Sequence, residues 1–158
     1  MRIRRIVFLT IAALGLSAGI ALGTPGSGAV GSDPVRGTIG APFKVEVDGL
    51  IEVKTNAPID VVDQTITIAP GGHTGWHSHP GPVLVVIESG TFTFYDGDDP
   101  DCDPQVFSAG DAFVDRGGGH VHIGRNESGA PVELSVTYLL PQGAGPRTDA
   151  PDPGNCDF

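Results

Sequence analysis

Across 158 residues the sequence has one Met, one Trp, two Tyr and two Cys, and its nine Lys and Arg face nineteen Asp and Glu. Each shortage excludes something. Beyond the first 22 residues no window repeats apolar side chains at 3.6-residue spacing, which excludes a helical bundle and a coiled coil. Glycine does not recur every third residue, which excludes a collagen-like chain. With so few basic side chains the net charge is −10. That field repels nucleic-acid phosphates and anionic lipid heads, so neither nucleic acid nor a membrane surface is an expected partner. Beyond the first 22 residues no G-x-S-x-G occurs, and nowhere does a Cys adjoin a His or a glycine loop open a helix. Serine and cysteine hydrolase patterns and phosphate-cradling loops therefore lack their residues.

Glycine and proline are abundant, at 24 and 14. They crowd 20–42 and 141–154, and such density without a period is a mark of disorder. Residues 24–42 are therefore expected to be a flexible linker and 141–158 a C-terminal tail. Between 43 and 140 the same residues are punctuation between short runs rich in β-branched and aromatic side chains. Strands are expected at 43–47, 50–55, 61–69, 74–79, 83–89, 91–95, 105–108, 112–115, 120–125 and 132–140. Thr65-Ile66-Thr67-Ile68 and Thr91-Phe92-Thr93-Phe94 alternate as half-buried strands do. Val83-Leu84-Val85-Val86-Ile87 is apolar throughout, as in a strand covered on both faces. The fold class is all-β, with about ten short strands suited to a barrel or jelly roll that limits exposed edges.

At the start, Arg2, Arg4 and Arg5 precede an apolar run from Ile6 to Leu22 with small residues toward its end. Residues 1–23 are expected to be a signal peptide and the protein to be secreted, with no membrane attachment after cleavage. No Cys follows the run, so a lipoprotein anchor is not indicated. Cleavage removes three Arg and no acid, which takes the net charge from −10 to −13. In an oxidising compartment the cysteine pair, Cys102 and Cys156, is expected to form a disulfide that tethers the tail to the domain. No basic residue adjoins either Cys to lower its pKa, which argues against a reactive thiol.

All five histidines fall in two windows, His73, His77 and His79, then His120 and His122. Residues two apart in a strand share a face, so His77 and His79 can enter one cavity, and one of His120 and His122 can join them. Three imidazoles converging from two strands make a site for a divalent metal with coordination positions left open. Among the nearby acids, Glu88 has the wrong strand parity relative to Val83. The run from Asp96 to Asp103 fits no calcium loop, because it lacks the spacing and the distal Glu. Trp76 alternates with the His pair and is expected to face away from it.

At these residues the sequence resembles the cupin superfamily. In GGHTGWHSHPGPVLVVIESG, Gly71, His77, His79 and Gly90 stand at the spacings of the first cupin motif, but Val83 occupies the position of the usual Glu ligand. In GDAFVDRGGGHVHIGRN, Gly110, Gly119, His122 and Asn126 follow the second motif with one extra residue, and Gly117 replaces its Pro. The resemblance covers about residues 55–140. It implies a double-stranded β-helix, or jelly-roll barrel, over 43–140, with His77, His79 and His122 as metal ligands. His73 and His120 would stand outside the direct ligands, and Val83 would leave three neutral donors beside an apolar wall. The implied cofactor is a divalent ion, with iron favoured over manganese, zinc or nickel. The implied activity is oxygen-dependent oxidation of a small organic molecule. A non-catalytic module that binds or stores a metal or small ligand is the alternative, and a homodimer is compatible with either.

Overall fold

In the computed structural model, residues 23–158 are described; the expected signal peptide, apart from Gly23, lies outside them. Thirteen strands follow in chain order: β1 (Ser27–Gly31), β2 (Val35–Ile39), β3 (Lys44–Val47), β4 (Ile51–Lys54), β5 (Ile59–His73), β6 (His77–Ser78), β7 (Val83–Ser89), β8 (Thr91–Asp96), β9 (Gln105–Ser108), β10 (Ala112–Asp115), β11 (His122–Arg125), β12 (Val132–Pro141) and β13 (Thr148–Asp149). Among the described residues no helix is long and apolar enough to cross a membrane.

The frame is the antiparallel pair β5 and β12, in unbroken register from Val132 opposite Ile68 to Pro141 opposite Ile59. β12 alternates strictly, with Val132, Leu134, Val136, Tyr138 and Leu140 buried. This alternation turns one face of the strand into core and leaves the other half-wet. β7 continues the sheet beyond β12, and β10 continues it beyond β7. On the other side β11 meets the end of β5, pairs with β8, and reaches β6. The sheet thus wraps around Val62, Ile68, Val85, Ile87, Phe92 and Phe94. Burying each such side chain fully is worth roughly 1.5–3 kcal/mol.

Two expectations fail in instructive ways. Residues 24–42 are not a linker, because β1 and β2 both pair antiparallel with β5. Arg36 on β2 donates to the buried Asp60 carboxylate at 2.6 Å, and Thr38 Oγ1 donates to its other oxygen at 2.6 Å. Those bonds hold the Asp60 carboxyl below the usual carboxylate range, with Thr38 the first cause. Composition flagged the glycines and missed that Val-Arg-Gly-Thr-Ile supplies one alternating edge strand. β7 is the second failure, since Val83, Val85 and Ile87 are buried while Leu84 and Val86 are 43% and 45% exposed. An apolar run does not reveal how many of its faces are covered.

β3 and β4 stand apart as a separate two-stranded sheet whose residues are all exposed. The tail, by contrast, is fastened. Cys102 and Cys156 form a disulfide across 54 residues of sequence, a loop for which chain entropy gives on the order of 4 kcal/mol. Past it, Phe158 packs against Trp76 and Tyr95, and the Arg125 guanidinium lies 3.8 Å from the centre of its ring. Trp76 thus packs in a second small core with Tyr95, Ile123, Ala150 and Cys156.

Candidate metal centre

β5 ends at His73, and the chain turns at Gly75, where φ is +73°. It then enters β6, which covers only His77–Ser78 of the strand expected at 74–79. His77 is the cross-strand partner of His122 on β11, and directly opposed side chains share a face. Their rings therefore meet at 4.3 Å between centroids, with the His79 ring 4.8 Å from His77 and 5.1 Å from His122. All three residues are 6% exposed or less. One nitrogen from each lies within 4.8 Å of the others, a spacing that could hold one metal ion.

The opposite nitrogens are committed to the backbone. Nδ1 of His77 meets the Gly75 carbonyl at 2.8 Å, Nδ1 of His79 the Pro146 carbonyl at 2.5 Å, and Nδ1 of His122 the His120 carbonyl at 3.3 Å. A carbonyl only accepts, so in each neutral ring Nδ1 carries the proton and Nε2 keeps its lone pair. Burial lowers the pKa of all three: far down for His77, down for His79, and to about 4 for His122. Neutral imidazoles with fixed tautomers are the form that binds a metal. This donor set suits a divalent transition ion.

Sequence reasoning found no acid for this site, and the structure supplies one. Asp115 at the end of β10 is directly opposite Val83 in register. The carboxylate expected at Val83 is therefore one strand away, on the same face. Asp115 is 4% exposed; its Oδ1 accepts the Gly117 N–H at 2.9 Å, while Oδ2 has no hydrogen-bond partner. Oδ2 lies 3.5 Å from His122 Nδ1 and 3.7 Å from His79 Nε2. The available signal was parity: Asp115 is two residues from the inward Phe113, so an acid stood at a core position.

The remaining candidates lie elsewhere. His120 stands outside the three-ring cluster but beside His122, at 6.0 Å between ring centroids, with Nε2 2.5 Å from Asp96 Oδ1 and Nδ1 3.7 Å from Asp115 Oδ1; with Asp115 and His122 it forms a second group that could hold an ion. His73 accepts the Gly75 N–H on Nδ1, and its pKa is lowered by burial and then by Arg125. Glu88 is exposed on β7. In the acidic loop, the Asp99 carboxylate accepts the N–H groups of Asp101 and Asp103. Gly117 stands where the motif has Pro because its φ is +63°, which the proline ring forbids. A Cβ there would also collide with the Gly81 carbonyl. Asn126, fully buried, donates to the Ile68 and Ala130 carbonyls and fixes the turn after β11.

Two connected spaces adjoin the three rings. An inner recess of about 50 Å³ is walled by the histidines, Asp115, Val83, Phe94, Phe113 and Val136. An outer cavity of about 490 Å³ reaches His77 and His79 past Gln64, Tyr138 and Arg147. Tyr138 lines both; burial pushes its pKa up to about 12, so it stays a neutral hydroxyl.

Comparison with known proteins follows this geometry. A family model described as a cupin domain matches residues 64–138. A double-stranded β-helix protein from Klebsiella pneumoniae is similar in structure at 24% identity, covering 71% of this chain and 86% of that one, with a TM-score of 0.47. A cupin-like protein from Thermotoga maritima is similar at 18% identity over 58% and 65% of the two chains, with a TM-score of 0.48. The polyketide cyclase RemF from Streptomyces resistomycificus is similar at 18% identity over 59% and 64%, with a TM-score of 0.47. No curated protein matches the sequence. The matched segment contains His77, His79, Asp115 and His122, and with the wrapped all-β sheet around them it identifies residues 64–138 as a cupin domain.

Proposed function

We propose that the protein is an exported metal-dependent oxidoreductase that holds a divalent ion, iron by preference, on His77, His79 and His122 and acts on a small organic molecule. The observation that carries this reading is the set of three Nδ1–carbonyl bonds, which leaves three Nε2 lone pairs on one buried spot. A bound ion would supply a Lewis-acid and, as iron, a redox centre for chemistry with dioxygen. The chain's own residues do the rest. Phe94 stacks on the His122 ring at 4.9 Å and fixes its plane. Val83, Phe113 and Val136 form an apolar wall of the recess opposite the polar groups of the histidines and Asp115. Asp115 places a carboxyl group beside two of the three donors, His79 and His122. The Cys102–Cys156 disulfide fits an oxidising compartment.

The small size of the inner recess, about 50 Å³, favours a second reading, a binding or storage module without turnover. Metal analysis of protein purified from the exported fraction, followed by oxygen uptake on a panel of small aromatic acids, thiols and diketones, separates the two. Iron with substrate-dependent uptake supports the oxygenase. Zinc or nickel with no uptake supports the binder. Unchanged metal content in both His77→Ala and His122→Ala removes the shared site altogether.

A further inference from the structure

The outer cavity contains an arrangement that the three rings alone do not explain. Arg147 is the one cationic side chain among the described residues that line it. Elsewhere Arg36 is paired with Asp60, Arg116 with Asp98, and Arg125 with Glu127. Arg147 gives only its Nε–H to Asp149 Oδ1, at 2.6 Å. The two terminal NH₂ groups of its fork have no partner among the described residues, and its side chain is about one-third exposed.

The arginine is also held in place. The Pro146 carbonyl takes the His79 Nδ1–H. Thr148 and Asp149 form β13, which pairs with Ser78 and His77, and the Ala150 N–H donates to the Trp76 carbonyl. Arg147 is therefore fixed on both sides to the segment that carries two of the three histidines. Its charge opposes the effect of burial at Tyr138.

We propose that Arg147 is the recognition point for a small organic carboxylate, which enters the outer cavity, pairs its carboxylate with the free end of the guanidinium fork, and turns its other end toward His77 and His79. A planar guanidinium matches a carboxylate in a two-bond geometry that a neutral group cannot match. Asp149 occupies the Nε edge, so the ligand is limited to the terminal edge of a side chain that lines the cavity. A cavity of about 490 Å³ is of the size that takes a small molecule. The substrate class so assigned rests on the His-centred reading above, while the anion contact itself does not need the metal.

Calorimetry with benzoate and butyrate, each against its neutral amide, tests the assignment on the protein as purified and again after chelation and dialysis. The carboxylates are expected to bind about tenfold or more tighter than the amides in both preparations. Arg147→Gln should abolish that preference, and Arg147→Lys should retain part of it, with near-UV circular dichroism confirming the fold of each. Equal binding of acid and amide, an unchanged preference in Arg147→Gln, or no wild-type binding at millimolar ligand overturns the proposal. A preference that disappears on chelation but survives Arg147→Gln assigns the carboxylate to the metal and overturns it as well. A preference found in protein that purifies without metal and takes up no divalent ion when supplied with it keeps the anion site and removes the metal reading.

Discussion

His77-Ser78-His79 and His120-Val121-His122 have the same spacing and different outcomes. Both members of the first pair enter the cavity, although only His77 lies in a regular strand. In the second pair His122 joins the three rings and His120 stands behind it, because β11 begins only at His122. The three residues before His120 are Gly117, Gly118 and Gly119, all with positive φ, so strand parity does not apply to it. Where parity fails, the side chain follows its partners, and His120 finds Asp96. Identical spacing thus yields a donor on one side and a bracing group on the other.

Removal of a converging ring should break the comparison most sharply. His77→Ala and His122→Ala are each expected to weaken divalent-ion affinity by on the order of 100-fold or more, since three donors become two. His120→Ala is expected to cost under about tenfold, as a bracing contact outside the donors does at most. Competition with a chromophoric chelator reads both. Equal losses at His120 and His122 would mean that the two pairs play the same part.

Asp115 sharpens the comparison because it touches both members of the second pair, His120 through Oδ1 and His122 through Oδ2. Asp115→Asn keeps the shape and an acceptor for the Gly117 N–H but removes the charge. A loss of about 10–100-fold in metal affinity is expected, the range for carboxylates that orient a ligating histidine. Unchanged affinity in the same chelator assay would reduce Asp115 to a brace for the turn at Gly117.

The legible part of this site was the part written in short spacings. The two H-x-H pairs, the turn glycines and the Cys pair lie close together or stand out by residue type. The position of Asp115 depends on β10 lying beside β7 with Asp115 opposite Val83, a register that no local pattern encodes. The same limit hid β1 and β2, whose regularity comes from the edges they share with β5. It also hid Arg147, because the tail enters the site only through two residues paired with β6. Tertiary pairing decided each of these, and composition had labelled two of the three segments as linker or tail.

The inward histidines also differ from the outer pairs in their response to acid, which the metal-free protein should show. His122 has its folded pKa lowered to about 4 by burial, partly opposed by Asp115, against about 6.5 in an unfolded chain. Between those values the unfolded state binds the extra proton, so stability is complete above about pH 6.5 and falls as the pH drops toward 4. His77 and His79 shift in the same direction and add to that fall. Asp60, lowered chiefly by the Thr38 hydrogen bond, acts in a separate window, below its ordinary 3.8. A Tm series across pH on metal-free protein should therefore decline from about pH 6.5, well before Asp60 contributes. His122→Ala should flatten the upper part of that decline by a few degrees or less and leave the part below 3.8 in place. The same upper slope in wild type and variant would show that the buried ring at His122 is not what acid attacks first.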